Sequence, residues 1–173
     1  MVTDLHAALF AELGIAADYG TEPLLQRYRE ATELEDIGPN IMGRPVELTP
    51  ATAAAWRSMA TAAAEDSVTL LPISGFRSIE YQAMLIRRKI NSGQVIADIL
   101  KVNVAPGFSQ HHTGNAIDIA TPGYKPLQEE FDESPAFEWL AQRAGEFGFS
   151  MSYPRDNAEG VIYEPWHWYR ADV

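Results

Sequence analysis

Residues 67–91 read SVTLLPISGFRSIEYQAMLIRRKIN, and they predict a strand, a tight turn and a helix in direct succession. Residues 67–74 are rich in β-branched and apolar side chains, and the Gly-Phe-Arg that follows is typical of a turn. Ser78 is a favourable N-cap for a helix over about residues 79–91, where apolar side chains recur at helical spacing and Gly93 follows the end. This unit indicates a helix packed beside a sheet.

The sequence upstream of this unit predicts three helices. The first covers about residues 5–13, and the second opens at Thr21 and places Leu24, Leu25 and Tyr28 on one face. The third starts at Thr49 and Pro50, and eight of the residues 51–64 are alanine, the strongest helix former.

The sequence downstream alternates between β-like and helical stretches. Residues 116–120 (AIDIA) predict a short strand, and a helix is expected from Pro135 to about Glu146. Two further β-like stretches follow at 149–153 and 161–169. The predicted fold class is α+β, a small and mostly antiparallel sheet with packed helices and a helical N-terminal part.

Composition excludes several classes of function. The chain has 173 residues, the size of one domain, and its 13 basic against 24 acidic residues give a net charge of −11. Such a charge disfavours nucleic acid and anionic membranes as partners. The absence of cysteine excludes disulfides, thiolate metal sites and a cysteine nucleophile.

The N-terminus lacks the basic start of a signal peptide, and no apolar run approaches the length of a membrane span. We therefore expect a cytoplasmic protein from the sequence as given, or a periplasmic or secreted one if a leader has been removed.

Histidines and carboxylates cluster in two short segments of the second half. A catalytic zinc without cysteine takes three ligands from His, Asp or Glu, and this chain can supply His111 or His112, Asp118 and His167. Glu164 would remain as the base that takes a proton from water. Taken singly, each of these residues is more typical of an ordinary buried or turn position, and spacing leaves both readings open.

Three motifs carry a family resemblance. Residues 109–118 contain Ser-x-His-x-x-Gly-x-Ala-x-Asp, residues 164–167 read Glu-Pro-Trp-His, and residues 74–82 read SGFRSIEYQ. In this order they resemble the zinc D-Ala-D-Ala carboxypeptidase family, which includes vancomycin-resistance carboxypeptidases and peptidoglycan L,D-carboxypeptidases. The resemblance covers about residues 68–170. We expect a single domain, 1–173, with this zinc carboxypeptidase core and a helical N-terminal extension over residues 1–45.

The resemblance assigns a role to five residues at matching positions. It implies one zinc ion held by His111, Asp118 and His167, and so chooses His111 over its neighbour. It implies that Glu164 is the general base. It also implies that Arg77 stabilises the oxyanion or holds the substrate carbonyl.

Further residues are expected near the substrate or away from it. The resemblance places Gln82 and Ser109 where relatives contact the terminal D-alanine, and Trp166 is expected to line the site. His112 is expected beside the ligands or on the surface. We interpret the basic run 87–89 as a solvated face of its helix, with a contact to peptidoglycan as the less favoured alternative.

The implied activity is hydrolysis of the last peptide bond of a peptidoglycan stem peptide or muropeptide that ends in D-alanine. The residues leave open whether the penultimate residue is a D-alanine or an L-diamino acid. Two alternatives remain: an endopeptidase of the same family, and a catalytically silent zinc- or peptide-binding module. All five residues with chemical roles are present, which counts against a silent module.

Overall fold

The computed structural model describes the backbone of residues 2–171 and the side chains of residues 6–171. Within that range the α-helices are α1 (Val2–Leu13), α2 (Pro50–Glu65), α3 (Ile79–Asn91), α4 (Ile96–Val102) and α5 (Pro135–Arg143). The strands are β1 (Glu35–Pro39), β2 (Pro45–Leu48), β3 (Leu71–Ser74), β4 (Ala116–Ala120), β5 (Phe149–Met151) and β6 (His167–Arg170). The fold is therefore α+β, as the sequence predicts.

The strands form two antiparallel sheets. Strands β1 and β2 pair as a hairpin, and the other four pair in the order β3-β4-β6-β5. Strand β4 is thus central, and all five of its residues are buried. No helix of the described chain is long and apolar enough to cross a membrane.

One face of the larger sheet carries the main hydrophobic core. Ile117 and Ile119 of β4 are fully buried in the same cluster as Trp56 and Met59 of α2 and Leu140 of α5. Because side chains alternate along a strand, Asp118 projects to the opposite face of the sheet. The core therefore fixes which face of β4 is left for the functional site.

Helix α3 has the predicted bounds. The Ser78 hydroxyl accepts a hydrogen bond from the backbone N–H of Tyr81 at 3.0 Å, which is the predicted N-cap. The helix buries Ala83 and Ile86 in a second cluster with Phe10 and Leu13 of α1. The N-terminal helix is therefore packed on the helix that follows Arg77.

The second predicted helix, from Thr21, is wrong. Residues 21–24 form turns and residues 25–31 have no regular structure. The backbone N–H groups of Tyr28 and Ala31 instead bond to the carbonyls of Gly107 and His112. Short isolated helices are marginal, and these long-range bonds outweigh local propensity. Residues 2–44 thus hold one helix and one strand, not the two helices predicted.

Several predicted boundaries also change. The β-like stretches at 67–74 and 161–169 shorten to β3 and β6, and α5 ends at Arg143 in a 3-10 turn, Ala144–Phe147. The sequence does not predict α4 or the hairpin of β1 and β2. Strand β1 reads EDIGP, and its acidic residues, glycine and proline are depleted in strands.

Candidate functional site

The register of the larger sheet brings two candidate ligands together. Asp118 of β4 is paired directly with His167 of β6, and on its other side with Ser74 of β3. Directly opposed residues in an antiparallel pair project to the same face with Cβ atoms about 5 Å apart. Pairing of distant segments therefore places this carboxylate and this imidazole side by side.

A short 3-10 turn, Gln110–Thr113, delivers the third candidate. The turn is capped by Ser109, whose hydroxyl accepts a hydrogen bond from the backbone N–H of His111 at 3.3 Å. The ring of His111 donates from Nδ1 to the carbonyl of Gly75 at 2.6 Å. Its Nε2 is therefore unprotonated in the neutral ring and lies 3.3 Å from Oδ2 of Asp118.

The carbonyl that orients His111 depends on a glycine. A Cβ atom on Gly75 would lie 2.4 Å from the carbonyl oxygen of Glu47 and 2.9 Å from Cγ1 of Val46. Such distances are not tolerated, so only glycine lets the chain after β3 run this close to β2. The glycine of the predicted turn thus has a direct structural purpose.

The ring of His167 uses its nitrogens in the reverse way to the ring of His111. Its Nε2 donates to Oε1 of Gln110 at 2.8 Å, and its Nδ1 lies 3.1 Å from Oδ1 of Asp118. One ligand atom from each of His111, Asp118 and His167 lies within 4.8 Å of the others, and all three residues are buried. This group could hold a metal ion.

The protonation states already suit a metal. Burial lowers the pKa of His111 to about 4, so the ring is neutral at pH 7. Burial alone would raise the pKa of Asp118, but the adjacent rings of His111 and His167 and the charge of Arg77 hold it well below its ordinary value. Metal ligation needs neutral imidazole and ionised carboxylate, and both are present without proton release.

His112 is fully buried and faces away from this group. Its Nδ1 donates to the carbonyl of Arg77 at 2.6 Å, and its Nε2 accepts from the N–H of Gly107 at 3.0 Å. Both ring nitrogens are therefore occupied by the backbone. Of the two positions expected for His112, the one on the surface is wrong. The geometry leaves His111 as the histidine of this turn with a free nitrogen.

Glu164 reaches the site through a turn. The N–H of His167 donates to the carbonyl of Glu164 at 3.1 Å, with Pro165 at the second position, where proline is favoured. Oε2 of Glu164 then lies 3.9 Å from Nδ1 of His167. Burial, and next the charge of Asp118, raise the pKa of Glu164 to about 8.

Arg77 lies beside the carboxylate of the group. Its Nη2 donates to Oδ2 of Asp118 at 2.8 Å, and its Nε donates to the hydroxyl of Ser74 at 3.0 Å. A weaker contact of 3.4 Å joins Nη1 to Oε1 of Gln82. The guanidinium is thus held by three partners at the wall of the site.

A cavity of about 220 Å³ opens over these groups. The structure brings all eight predicted site residues to its lining: Arg77, Gln82, Ser109, His111, Asp118, Glu164, Trp166 and His167. Lys89 also lines this cavity, so the interpretation of 87–89 as a solvated face is wrong for that residue. Arg87 is half-buried and pairs with Glu12 and Glu80.

Sequence reasoning missed two polar groups of the site. Gln110 orients His167 and also accepts from the hydroxyl of Ser152 at 2.7 Å. It lies inside a quoted motif, but at a position that the motif leaves open. Lys89 lines the cavity because of how α3 packs, and the basic residues beside it in the sequence do not indicate that packing.

A known protein family matches the part of the chain that contains these site residues. The sequence model of the VanY family, described as D-alanyl-D-alanine carboxypeptidase, matches residues 45–171. The chain is 32% identical over 117 residues to a D-alanyl-D-alanine carboxypeptidase of Enterococcus faecalis. That alignment covers 62% of this chain and 42% of the relative, so the chain spans about two fifths of that protein's length.

Two solved structures share the fold at 27% identity. The LdcB LD-carboxypeptidase superposes with a TM-score of 0.66. The alignment covers 83% of this chain and 65% of the LdcB chain. A variant of the vancomycin resistance D,D-pentapeptidase VanY, solved in complex with Zn(II), superposes with a TM-score of 0.63. That alignment covers 82% of this chain and 79% of the VanY chain.

Proposed function

Because the chain belongs to the VanY family of D-alanyl-D-alanine carboxypeptidases, we propose that it removes a C-terminal D-alanine from peptidoglycan-derived peptides with the help of one zinc ion. The observation that carries this proposal is the convergence of His111, Asp118 and His167 on one cavity that Glu164 and Arg77 also line. The donor set and the two extra charged groups together suit hydrolysis of a peptide bond.

The three donors fit zinc by their chemistry. Nε2 of His111, a carboxylate oxygen of Asp118 and Nδ1 of His167 would be three protein ligands, and a tetrahedral ion would keep a fourth position for water. When bound, zinc lowers the pKa of its water to about 7 and polarises a carbonyl. Gly75 and Gln110 hold the two rings so that the ligand nitrogens face Asp118.

Glu164 is suited to move the proton. Its side chain is buried at the cavity wall, close to His167. Among the described residues, no hydrogen-bond partner holds its carboxyl group. In its ionised form it accepts a proton from the attacking water, and it can then donate that proton to the leaving amine.

Arg77 supplies a fixed positive charge. Its guanidinium orients Asp118 and faces the cavity, where the negative charge of a tetrahedral intermediate would develop. Gln82 and Ser109 lie on the same wall and are proposed to contact the terminal D-alanine. Trp166 belongs to the same turn as Glu164 and also lines the cavity.

The proposal predicts release of single D-alanine. We expect the zinc-loaded protein to shorten either a pentapeptide ending in D-Ala-D-Ala or a tetrapeptide ending in L-Lys-D-Ala by one residue, measured by mass spectrometry. A peptide ending in L-alanine serves as the control and should stay intact. Cleavage at an internal bond would point to an endopeptidase, and zinc binding without cleavage of any peptide would point to a binding module.

Replacing Arg77 with alanine should slow turnover strongly. Loss of one donor to a developing oxyanion costs about 2.7–4 kcal/mol, or about 10²–10³ in kcat. Arg77→Lys should restore only part of it, because lysine lacks the planar fork that holds Ser74, Gln82 and the carboxylate of Asp118 together. Steady-state kinetics at saturating zinc test this, and an unchanged kcat in Arg77→Ala would contradict the role.

A further inference from the structure

We propose that the N-terminal segment, residues 6–31, holds the loop of residues 105–112 in its metal-binding shape, and that Phe108 is the positioning residue on which the segment acts. This segment lies outside residues 45–171, the part of the chain that the family's sequence model matches. The inference rests on the zinc site proposed above and assigns a role to a segment to which the proposed reaction gives none.

The loop of residues 105–112 is buried along its whole length. Residues 105–109 belong to no helix or strand, and the 3-10 turn that carries His111 begins only at Gln110. The backbone N–H and C=O groups of a buried loop need hydrogen-bond partners, because water does not reach them. The shape of this loop therefore depends on groups that neighbouring segments supply.

The N-terminal segment supplies two of these backbone partners. The N–H of Tyr28 donates to the carbonyl of Gly107 at 2.8 Å, and the N–H of Ala31 donates to the carbonyl of His112 at 2.8 Å. The two bonds lie on either side of His111, a proposed zinc ligand. The segment is thus bonded to the loop both before and after this ligand.

Phe108 is the side chain of the loop that the segment encloses, and it is only 4% exposed. Its ring packs edge-on against Tyr19, with centroids 5.2 Å apart, and lies 6.2 Å from the ring of Phe10. Cζ of Arg27 lies 4.8 Å from the same ring, within the range of a cation–π contact. A Cβ atom on Gly20 would lie 2.6 Å from Cε1 of Phe108, so only glycine lets the segment pass this close. The pocket for this ring is therefore made by the N-terminal segment.

Phe108 directly precedes two residues that orient the proposed ligands. The hydroxyl of Ser109 accepts from the N–H of His111 at 3.3 Å, and Oε1 of Gln110 accepts from Nε2 of His167 at 2.8 Å. Hydrogen-bond partners of metal ligands set metal affinity through the orientation of those ligands. A displaced Phe108 would shift both partners, so we expect its pocket to strengthen zinc binding.

Loss of the ring contact should weaken zinc binding by the folded protein. We expect Phe108→Leu and Tyr19→Leu each to raise the zinc dissociation constant about 10-fold, the lower end of the range for changes to partners of metal ligands. Tyr19→Phe should keep most of the affinity, because it keeps the ring and loses only the hydroxyl, which accepts from the N–H of Ala105 at 3.3 Å. Chelator competition measures the affinity, and circular dichroism shows that each variant is folded.

Two further variants separate positioning from stability. The double variant Tyr19→Leu/Phe108→Leu should bind zinc no more weakly than either single variant, because both changes remove the same contact. Leu140→Ala, in the main core on α5, is the control. It should lower the unfolding temperature and leave the zinc affinity of the folded protein unchanged.

Three outcomes would contradict the proposal. Unchanged zinc affinity in both single variants, or an equal loss in Leu140→Ala, would show that the segment does not position the loop. Losses that multiply in the double variant would show that the segment does not act on Phe108. Failure of the wild type to bind zinc would instead overturn the zinc site of the proposed function.

Discussion

Replacing Glu164 with alanine should lower kcat by about 10²–10⁴ while the protein keeps its fold and its zinc. The carboxylate is not among the three proposed zinc ligands, and its Oε2 lies 3.9 Å from Nδ1 of His167. Its removal therefore deletes the proposed proton acceptor and leaves the three proposed ligands in place. Truncation also removes a costly buried acid, so we expect no loss of thermal stability.

The measurement pairs single-turnover kinetics with zinc analysis and thermal unfolding of the same sample. Glu159→Ala is the matched control: it deletes the same charge from a half-buried glutamate nearby that does not line the cavity. It should keep near wild-type kcat. Near-full turnover in Glu164→Ala would show that another group is the base, whereas loss of zinc would show that Glu164 is itself a ligand.

Local sequence signals predict those parts of the fold that depend on local chemistry. Helix α3 has its predicted bounds because Ser78 caps it and its apolar face is regular. Strand β4 is predicted equally well by five residues, AIDIA, since the two isoleucines face the core. The family resemblance is confirmed by the match over residues 45–171.

The predictions that were wrong concern segments whose structure is set by contacts with distant parts of the chain. Residues 25–31 lack the predicted helix because their backbone bonds to the histidine-bearing loop, more than seventy residues away in the chain. The strand expected at 161–169 starts only at His167, because the turn from Glu164 consumes the preceding residues. The candidate site residues lie on short motifs, and the strands that carry Asp118 and His167 pair directly, so the structure places these residues in one cavity.

The two adjacent histidines illustrate what spacing cannot decide and geometry can. Both lie in the same 3-10 turn, and spacing permits either as a ligand. The structure separates them by their partners: the backbone occupies one nitrogen of His111 and both nitrogens of His112. A ring with both nitrogens in hydrogen bonds has no lone pair left for a metal.

His111→Ala should therefore lose zinc and His112→Ala should keep it. Removal of one of the three proposed ligands should weaken zinc binding more than the 10- to 100-fold typical of mutations in residues that hydrogen-bond to metal ligands. His112→Ala should instead bind one zinc per chain but unfold more easily, by about 1–3 kcal/mol, because it leaves the carbonyl of Arg77 and the N–H of Gly107 buried without their partner.

Chelator competition and elemental analysis measure the zinc, and thermal unfolding of each apo-protein shows whether a variant has kept its fold. His111→Gln guards against collapse of the turn, since an amide can still donate to the carbonyl of Gly75 while it offers zinc a poor ligand. The opposite pattern, with zinc kept in His111→Ala and lost in a folded His112→Ala, would mean that the turn rearranges when metal binds. The two rings would then exchange roles, and the hydrogen bond from His112 to the carbonyl of Arg77 would have to break.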